Sequence, residues 1–370
     1  MSPILTEKQI FGKNLFSLFI LCLVILSSLT IFFLTPREIG GDGLDYVTAI
    51  RVITTGETPE GFVPNRILTT FLPLYIVISL TALLGGMQVA WLSLNIFFYF
   101  ILCIFFYKIL DLLFHNEKVS FIGGLFFASN YGILIFSLNY LMDVGGWAFY
   151  VMSFYFLLLY VQKSEQKMLW ISVLLAGFGA LFKEYAFLAY VAIGLFYLYE
   201  QKSLWRAIQG LWKPVLASFL PIILVYIYVF NRFGYTYANW LSSNQNEYIY
   251  PSRIIEYIKS FGSLYTVLGL LFLGGLYALY KYKKENNSDY TNKIFFYVCS
   301  ICASALVVFI WPAITQRILS ISVPAVALCS AFLFRRYEKY YYIFLIALVP
   351  YILLTFFMDS FILSYINLPL

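Results

Sequence analysis

Apolar runs of about 20 residues, separated by short connectors that hold most of the charges, recur from residue 14 to the C-terminus. A run of that length spans the hydrocarbon core of a bilayer once it is helical. Twelve candidates can be read, at 14–34, 67–85, 87–107, 119–136, 144–162, 168–182, 185–200, 214–230, 261–280, 294–311, 318–334 and 341–357. Two segments have a different period. Between Leu44 and Ile53, apolar Leu44, Val47, Ile50 and Ile53 return every third position with Asp45, Thr48 and Arg51 offset from them, the pattern of an amphipathic helix lying in the membrane surface. Residues 253–260 mix Ile254, Ile255, Tyr257 and Ile258 with Arg253, Glu256 and Lys259, and form a second such candidate. The fold class expected is an all-α polytopic membrane protein.

Charge decides how many of the twelve runs cross, because short cytoplasmic loops collect Lys and Arg. If all twelve crossed from an inner N-terminus, the loop Lys281-Tyr282-Lys283-Lys284 and the Arg335-Arg336 loop would both lie outside. Keeping 67–85 on the outer side as a partly embedded helix brings both inside, and 16 of the 24 basic residues then lie on the inner face. That segment carries Pro73, three threonines and a serine, and ends in Gly85-Gly86, all unfavourable for a simple span. The expectation is eleven crossings, N-terminus in and C-terminus out. Residues 1–370 then form a single integral membrane domain, with external loops at 35–86 and 231–260 and no soluble domain. A plasma-membrane location is expected, with the chemistry facing outside.

Composition agrees: 62% of residues are hydrophobic, 21% aromatic and 11% charged, against roughly 25% charged in soluble domains. The net charge of +6 is spread over many loops, so it reports membrane orientation and no nucleic-acid partner is expected. The first run follows Lys8 and Lys13, is about 20 residues long and lacks a small-residue cleavage site, which marks an anchor. All five cysteines fall in apolar runs, so Cys299-x-x-Cys302 is expected to pack helices. The single histidine, His115, lies in an inner loop, which removes an external Ser-His-Asp triad or a His-based metal cluster. A Gly-x4-Gly-Lys phosphate loop is lacking, as are fixed-period repeats.

The outer face gathers the remaining polar candidates. Asp42 and Asp45, in Gly40-Gly41-Asp42-Gly43-Leu44-Asp45-Tyr46, sit at i and i+3 where the chain leaves the first span. Either they cap the following helix, or two ionised carboxylates converge on a substrate group or a divalent metal. Lys183-Glu184, at the junction of two short apolar runs, is a structural ion pair or a phosphate ligand with its orienting partner. Arg317 either snorkels or binds an anion, and Asp143 either caps a helix or joins the site. Arg66 and Arg253 are further external cations for substrate. Tyr235, Tyr237, Trp240, Tyr248 and Tyr250, in the segment 231–260, fit an interface belt or a surface for sugar rings and lipid chains.

Gly-Asp-Gly-Leu-Asp-Tyr after the first span, a following amphipathic helix, Asn65-Arg66-Ile67-Leu68 before a Pro-containing outer helix, and Phe182-Lys183-Glu184 together resemble the GT-C glycosyltransferases over nearly the whole chain. The resemblance implies that an acidic residue of the first external loop, Asp42 or Asp45, is catalytic. It also implies a sugar donor on polyprenyl or dolichyl phosphate, with Lys183, Glu184 and Arg317 similar to the residues that hold the lipid phosphate. The acceptor would be a glycan, lipid or protein. No cofactor is certain, and a divalent metal is compatible. The chain ends at Asp359–Leu370 without the C-terminal domain of larger members. Two alternatives stand beside it: a flippase or other transporter, expected to show charges midway along spans, and a glycan polymerase or ligase using external arginines.

Overall fold

The computed structural model describes residues 7–244, 268–306 and 316–366, and the regular elements among them are all helical. In chain order they are α1 (Glu7–Phe33), α2 (Asp42–Thr55), α3 (Asn65–Thr69), α4 (Phe71–Leu84), α5 (Met87–Phe114), α6 (Glu117–Ala128), α7 (Tyr131–Ser137), α8 (Asp143–Lys163) and α9 (Gln166–Ala180). Then follow α10 (Leu188–Gln201), α11 (Leu204–Phe233), α12 (Tyr237–Asn244), α13 (Leu268–Asn286), α14 (Asp289–Leu306), α15 (Gln316–Leu319), α16 (Val323–Arg336) and α17 (Tyr341–Ile366). Six helices among the described residues are long and apolar enough to cross a membrane, and α6 with α7 makes a seventh if that bent pair is one span. The chain is a multi-pass membrane protein.

Several expected spans are broken by identifiable local chemistry. The run 119–136 bends by 60° between α6 and α7, where the Asn130 side chain accepts from the Gly132 and Ile133 amides and starts a new helix. The run 67–85 divides at Thr70 into α3 and α4, and α4 has only 14 residues, about 21 Å of rise against a core of about 30 Å. The run 185–200 opens with a 3-10 turn at Glu184–Phe187. By contrast 214–230 lies inside the 30-residue α11, started by the Ser203 side chain accepting from the Arg206 amide. Parts of 261–280 and 294–311 lie outside the described residues.

Helix α8 sits at the centre, packed against α9 on one side and α5 on another, and is buried along most of its length. Helices α13 and α16 pack together, as do α10 and α14, while α1, α11 and α17 lie at the periphery. Leu216, Leu220, Leu224 and Ile227 form an exposed apolar row on α11, the composition of a surface whose solvent is lipid. Contacts between connectors divide the bundle into two ends. At one end Gln162 Nε2 donates to Leu112 O at 2.9 Å, Lys293 lies 4.0 Å from Glu200, and Arg336 pairs with Glu285 at 3.0 Å. At the other, Thr35 Oγ1 donates to Leu138 O at 2.6 Å and the Leu72 amide to Leu181 O at 3.0 Å. These are the two sets of loops that the lysine and arginine distribution separates.

The helix expected at 44–53 is present as α2, with a different buried face. Gly43, Tyr46, Ala49, Ile50 and Val52 are buried, whereas Leu44 is exposed. A strict three-residue repeat drifts around a helix of 3.6 residues per turn, and the small Gly43 and Ala49 allow closer packing than Leu44 and Val47 would.

Candidate active site

Helix α2 delivers two carboxylates to one place because its first turn is pressed against the connector before α8. Gly41, with φ +52°, turns the chain into the helix, and a Cβ on Gly43 would stand 2.6 Å from Ile39 Cγ2 and 3.1 Å from Tyr140 O. Asp42 Oδ2 accepts from Arg317 Nη1 at 2.6 Å, and its Oδ1 lies 3.0 Å from Arg66 Nη2. Asp45 Oδ2 accepts from Arg66 Nε at 3.3 Å and Nη2 at 3.1 Å. The i, i+3 spacing thus brings both acids to one guanidinium, which also lies over the Tyr46 ring at 5.0 Å. Neither acid makes a capping bond, since the N-cap is Gly41.

Asp143, the first residue of α8, is fully buried. The preceding residue is the N-cap and no side chain caps this helix. Asn95 Nδ2 donates to Asn139 O and Leu141 O at 2.6 and 2.8 Å, and Trp91 Nε1 donates to Leu141 O at 3.0 Å, so α5 fixes the connector that aims Asp143. Its Oδ2 lies 3.7 Å from Arg317 Nε, close enough for charge but not for a hydrogen bond. Arg317 therefore joins carboxylates from α2 and α8.

Lys183 reaches the same region through two glycines. A Cβ on Gly145 would stand 2.7 Å from the Phe182 ring, and one on Gly146 would stand 2.6 Å from Lys183 Cβ and 3.2 Å from its carbonyl oxygen. Only hydrogen at those positions lets the 182–184 connector lie on α8. Lys183 Nζ is 3.4 Å from Glu184 Oε2 and 5.5 Å from the centre of the Tyr185 ring, with both charged side chains largely buried.

The electrostatics follow from this crowding. Burial pushes the Asp42 carboxyl upward, but Arg317 and Arg66 outweigh it and hold the group below the ordinary carboxylate value. Burial opposes charge on Lys183, and Glu184, then Tyr46 and Asp143, more than offset it, so the ammonium is held above its usual value. Four acids, Asp42, Asp45, Asp143 and Glu184, face three cations, Arg66, Lys183 and Arg317. Among the described residues no group of three or more His, Cys, Asp or Glu side chains is arranged to hold a metal ion. Asp42, Asp45 and Asp143 face guanidinium groups and Glu184 faces the Lys183 ammonium, which fits an ion-pair cluster better than a metal cage.

Next to the cluster is a cavity of about 280 Å³, with Glu184 and Tyr185 in its wall and Leu68, Leu181, Ile222, Val225 and Ile318 among its apolar lining. Of the residues singled out in the sequence, Asp42, Asp45, Arg66, Asp143, Lys183, Glu184 and Arg317 come together. Arg232, a further arginine at the end of α11, donates instead to Tyr228 Oη at 2.9 Å. Arg253, Tyr248, Tyr250 and the surface helix expected at 253–260 lie outside the described residues. Tyr46 and Trp147 were missed; each lies four residues after a cluster acid, Asp42 or Asp143, and so shares its helix face.

Residues 63–230 match the dolichyl-phosphate-mannose-protein mannosyltransferase family. This is a GT-C family, and the resemblance carried by the sequence motifs holds. The match covers rather less than half of the chain. It contains Arg66, Asp143, Lys183 and Glu184, begins after Asp42 and Asp45, and ends before Arg317. No curated protein and no solved structure matches the chain. The mannosyltransferase family points to a membrane glycosyltransferase with a lipid-linked sugar donor.

Proposed function

We propose that the protein transfers a sugar from a polyprenyl or dolichyl phosphate to a glycan, lipid or protein acceptor at the outer face of the membrane. The observation that carries this reading is the convergence of Arg66, Lys183 and Arg317 with Asp42 beside an apolar cavity whose wall holds their neighbours Leu68, Glu184 and Ile318. A lipid phosphate presents that pairing of properties, an anion attached to an apolar chain. Lys183 and Arg317 would hold the phosphate and stabilise the charge that grows on it as the sugar leaves. The cavity between Leu181, Ile222 and Ile318 would take the first part of the chain.

Asp42 is the general base in this scheme, with Asp45 positioning Arg66. Asp42 is 36% exposed and paired with two arginines, while Asp45 is 57% exposed and paired with one. A carboxylate held by two guanidinium groups is a weak base, and a good catalytic pKa lies nearer the working pH. Donor binding resolves the conflict, because a phosphate that draws Arg317 toward itself weakens the pairing that depresses Asp42. The acceptor hydroxyl then loses its proton to Asp42 as its oxygen attacks the anomeric carbon and the lipid phosphate departs with the bonding pair. The outward orientation and the eleven crossings belong to the same proposal.

Purified full-length protein in sealed proteoliposomes, supplied with polyprenyl phosphates carrying mannose, glucose or galactose and an acceptor panel, should release polyprenyl phosphate from at least one donor. Movement of intact donor across the bilayer without cleavage of any of the three would overturn this function in favour of transport.

A further inference from the structure

Among the described residues, eight buried side-chain atoms lack a hydrogen-bond partner, and six of them belong to this one cluster. They are Tyr46 Oη, both Asp143 oxygens, Trp147 Nε1, Glu184 Oε2 and Arg317 Nε. Buried polar atoms are nearly always paired, so their concentration here needs a cause. Asp143 and Trp147 lie one turn apart on α8, with Gly146 between them against the backbone of Lys183. The charges acting on Tyr46 are those of Lys183, Asp143, Arg66 and Arg317. Tyr46 and Trp147 are at most 1% exposed.

The chemistry of these atoms favours one kind of ligand over another. A phosphate only accepts hydrogen bonds and would be repelled by Asp143. A sugar ring offers hydroxyls that each donate and accept, and here a phenol does both, a carboxylate accepts and an indole N–H donates. Arg317 Nε and Asp143 Oδ2 stand 3.7 Å apart, both unpartnered, and one hydroxyl accepting from the first and donating to the second would complete both.

We propose that Tyr46, Asp143 and Trp147 form the subsite for the transferred sugar, with Tyr46 and Trp147 as residues that determine which sugar is taken. This rests on the glycosyltransferase reading and deepens it. These three side chains would hold the sugar while Lys183 and Arg317 hold the phosphate beside it.

Tyr46→Phe tests the proposal with little change of shape, because the ring keeps its edge contact with Trp91 and its place under Arg66. The probes are bare polyprenyl phosphate and polyprenyl phosphate carrying mannose, glucose or galactose, titrated against full-length protein. Tyr46→Phe should bind the preferred sugar-bearing lipid about three- to tenfold more weakly and the bare lipid as wild type does. Its thermal midpoint should stay level or rise, since an unpartnered buried hydroxyl is removed. Trp147→Phe should show the same split between the two lipids. Equal weakening for both lipids, no weakening for either, or a fall in the midpoint of Tyr46→Phe overturns the subsite. Wild-type protein that binds neither lipid sinks the glycosyltransferase reading as well, whereas normal wild-type binding with an unaffected variant sinks the subsite alone.

Discussion

Asp42 is where four parts of the chain meet in their charges, and replacing it separates its possible roles. Asn is nearly isosteric and keeps helix-starting ability, so Asp42→Asn should fold and insert normally while losing about 10²–10⁴ in transfer rate, the usual worth of a positioned general base. Asp45→Asn should lose less, because Arg66 keeps its contact with Asp42; equal activity of both variants with wild type, in a donor-cleavage assay, would remove the pair from the mechanism. The pH dependence has a defined sign. A carboxyl whose folded value lies below its unfolded value of about 3.9 contributes stability that is fully present above that value and lost as pH falls through the folded one. Free enzyme should therefore keep kcat/KM down to mildly acidic pH, and Arg317→Gln should move the acid limb upward by removing one of the two charges that depress Asp42. An unmoved limb would mean that Arg317 does not govern this carboxyl. The charged members of the site were legible in the sequence because charge stands out in a chain that is only 11% charged. Tyr46 and Trp147 were not, since one aromatic among 21% aromatic residues carries no contrast; only burial without a partner marks them.

At the scale of the element, the site depends on how closely α8 lets the 182–184 connector approach. Gly146 lies against Lys183 Cβ and its carbonyl, and the added methyl of Gly146→Ala would meet them at 2.6 and 3.2 Å, so the connector must move. Gly194, inside α10, has nothing within 4 Å of the same methyl. Gly146→Ala should therefore cost roughly 1–3 kcal/mol in unfolding and reduce transfer, while Gly194→Ala should gain roughly 0.5–1 kcal/mol from helix propensity alone. Thermal unfolding in detergent, with transfer measured on the same samples, checks both; equal behaviour would mean that the connector does not need this close approach. The sequence pattern placed most helices but not their breaks. Asn130 and Thr70 interrupt apolar runs whose hydropathy is continuous, and a hydropathy pattern carries no term for a side chain that captures two amides. The face of α2 was misjudged for a related reason, as small Gly43 and Ala49 define the contact better than Leu44 does.

For the whole molecule, the cluster constrains how many times the chain can cross. A side chain does not reach across a core of about 30 Å, so Asp42, Asp143 and Arg317, bridged at 2.6 and 3.7 Å, lie on one side, and an even number of crossings separates each pair. Between Asp42 and Asp143 run α4, α5 and the bent α6–α7. If α5 crosses and α6–α7 returns, an even count leaves α4 uncrossed. Between Asp143 and Arg317, among the described residues, crossings by α8, α9, α10, α11, α13 and α14 would be six, an even number as the contact requires. With α1 before, and α16 and α17 after, the total would be the eleven proposed above, the number that the lysines and arginines favour. Charge bias and contact geometry are independent, and the proposed arrangement with 67–85 uncrossed satisfies both. Single cysteines placed in a background with the five native ones replaced give the test. In intact cells Asn287→Cys, beside the lysine-rich connector after α13, should resist an impermeant thiol reagent until the membrane is opened. Ser242→Cys, at an exposed position of α12, should react at once. In the proposed arrangement one crossing, α13, separates the two positions, so they should differ. Reaction at Asn287→Cys with protection at Ser242→Cys would invert the protein and put Asp42 on the inner face. Reaction at both would break the parity on which the eleven-crossing arrangement rests.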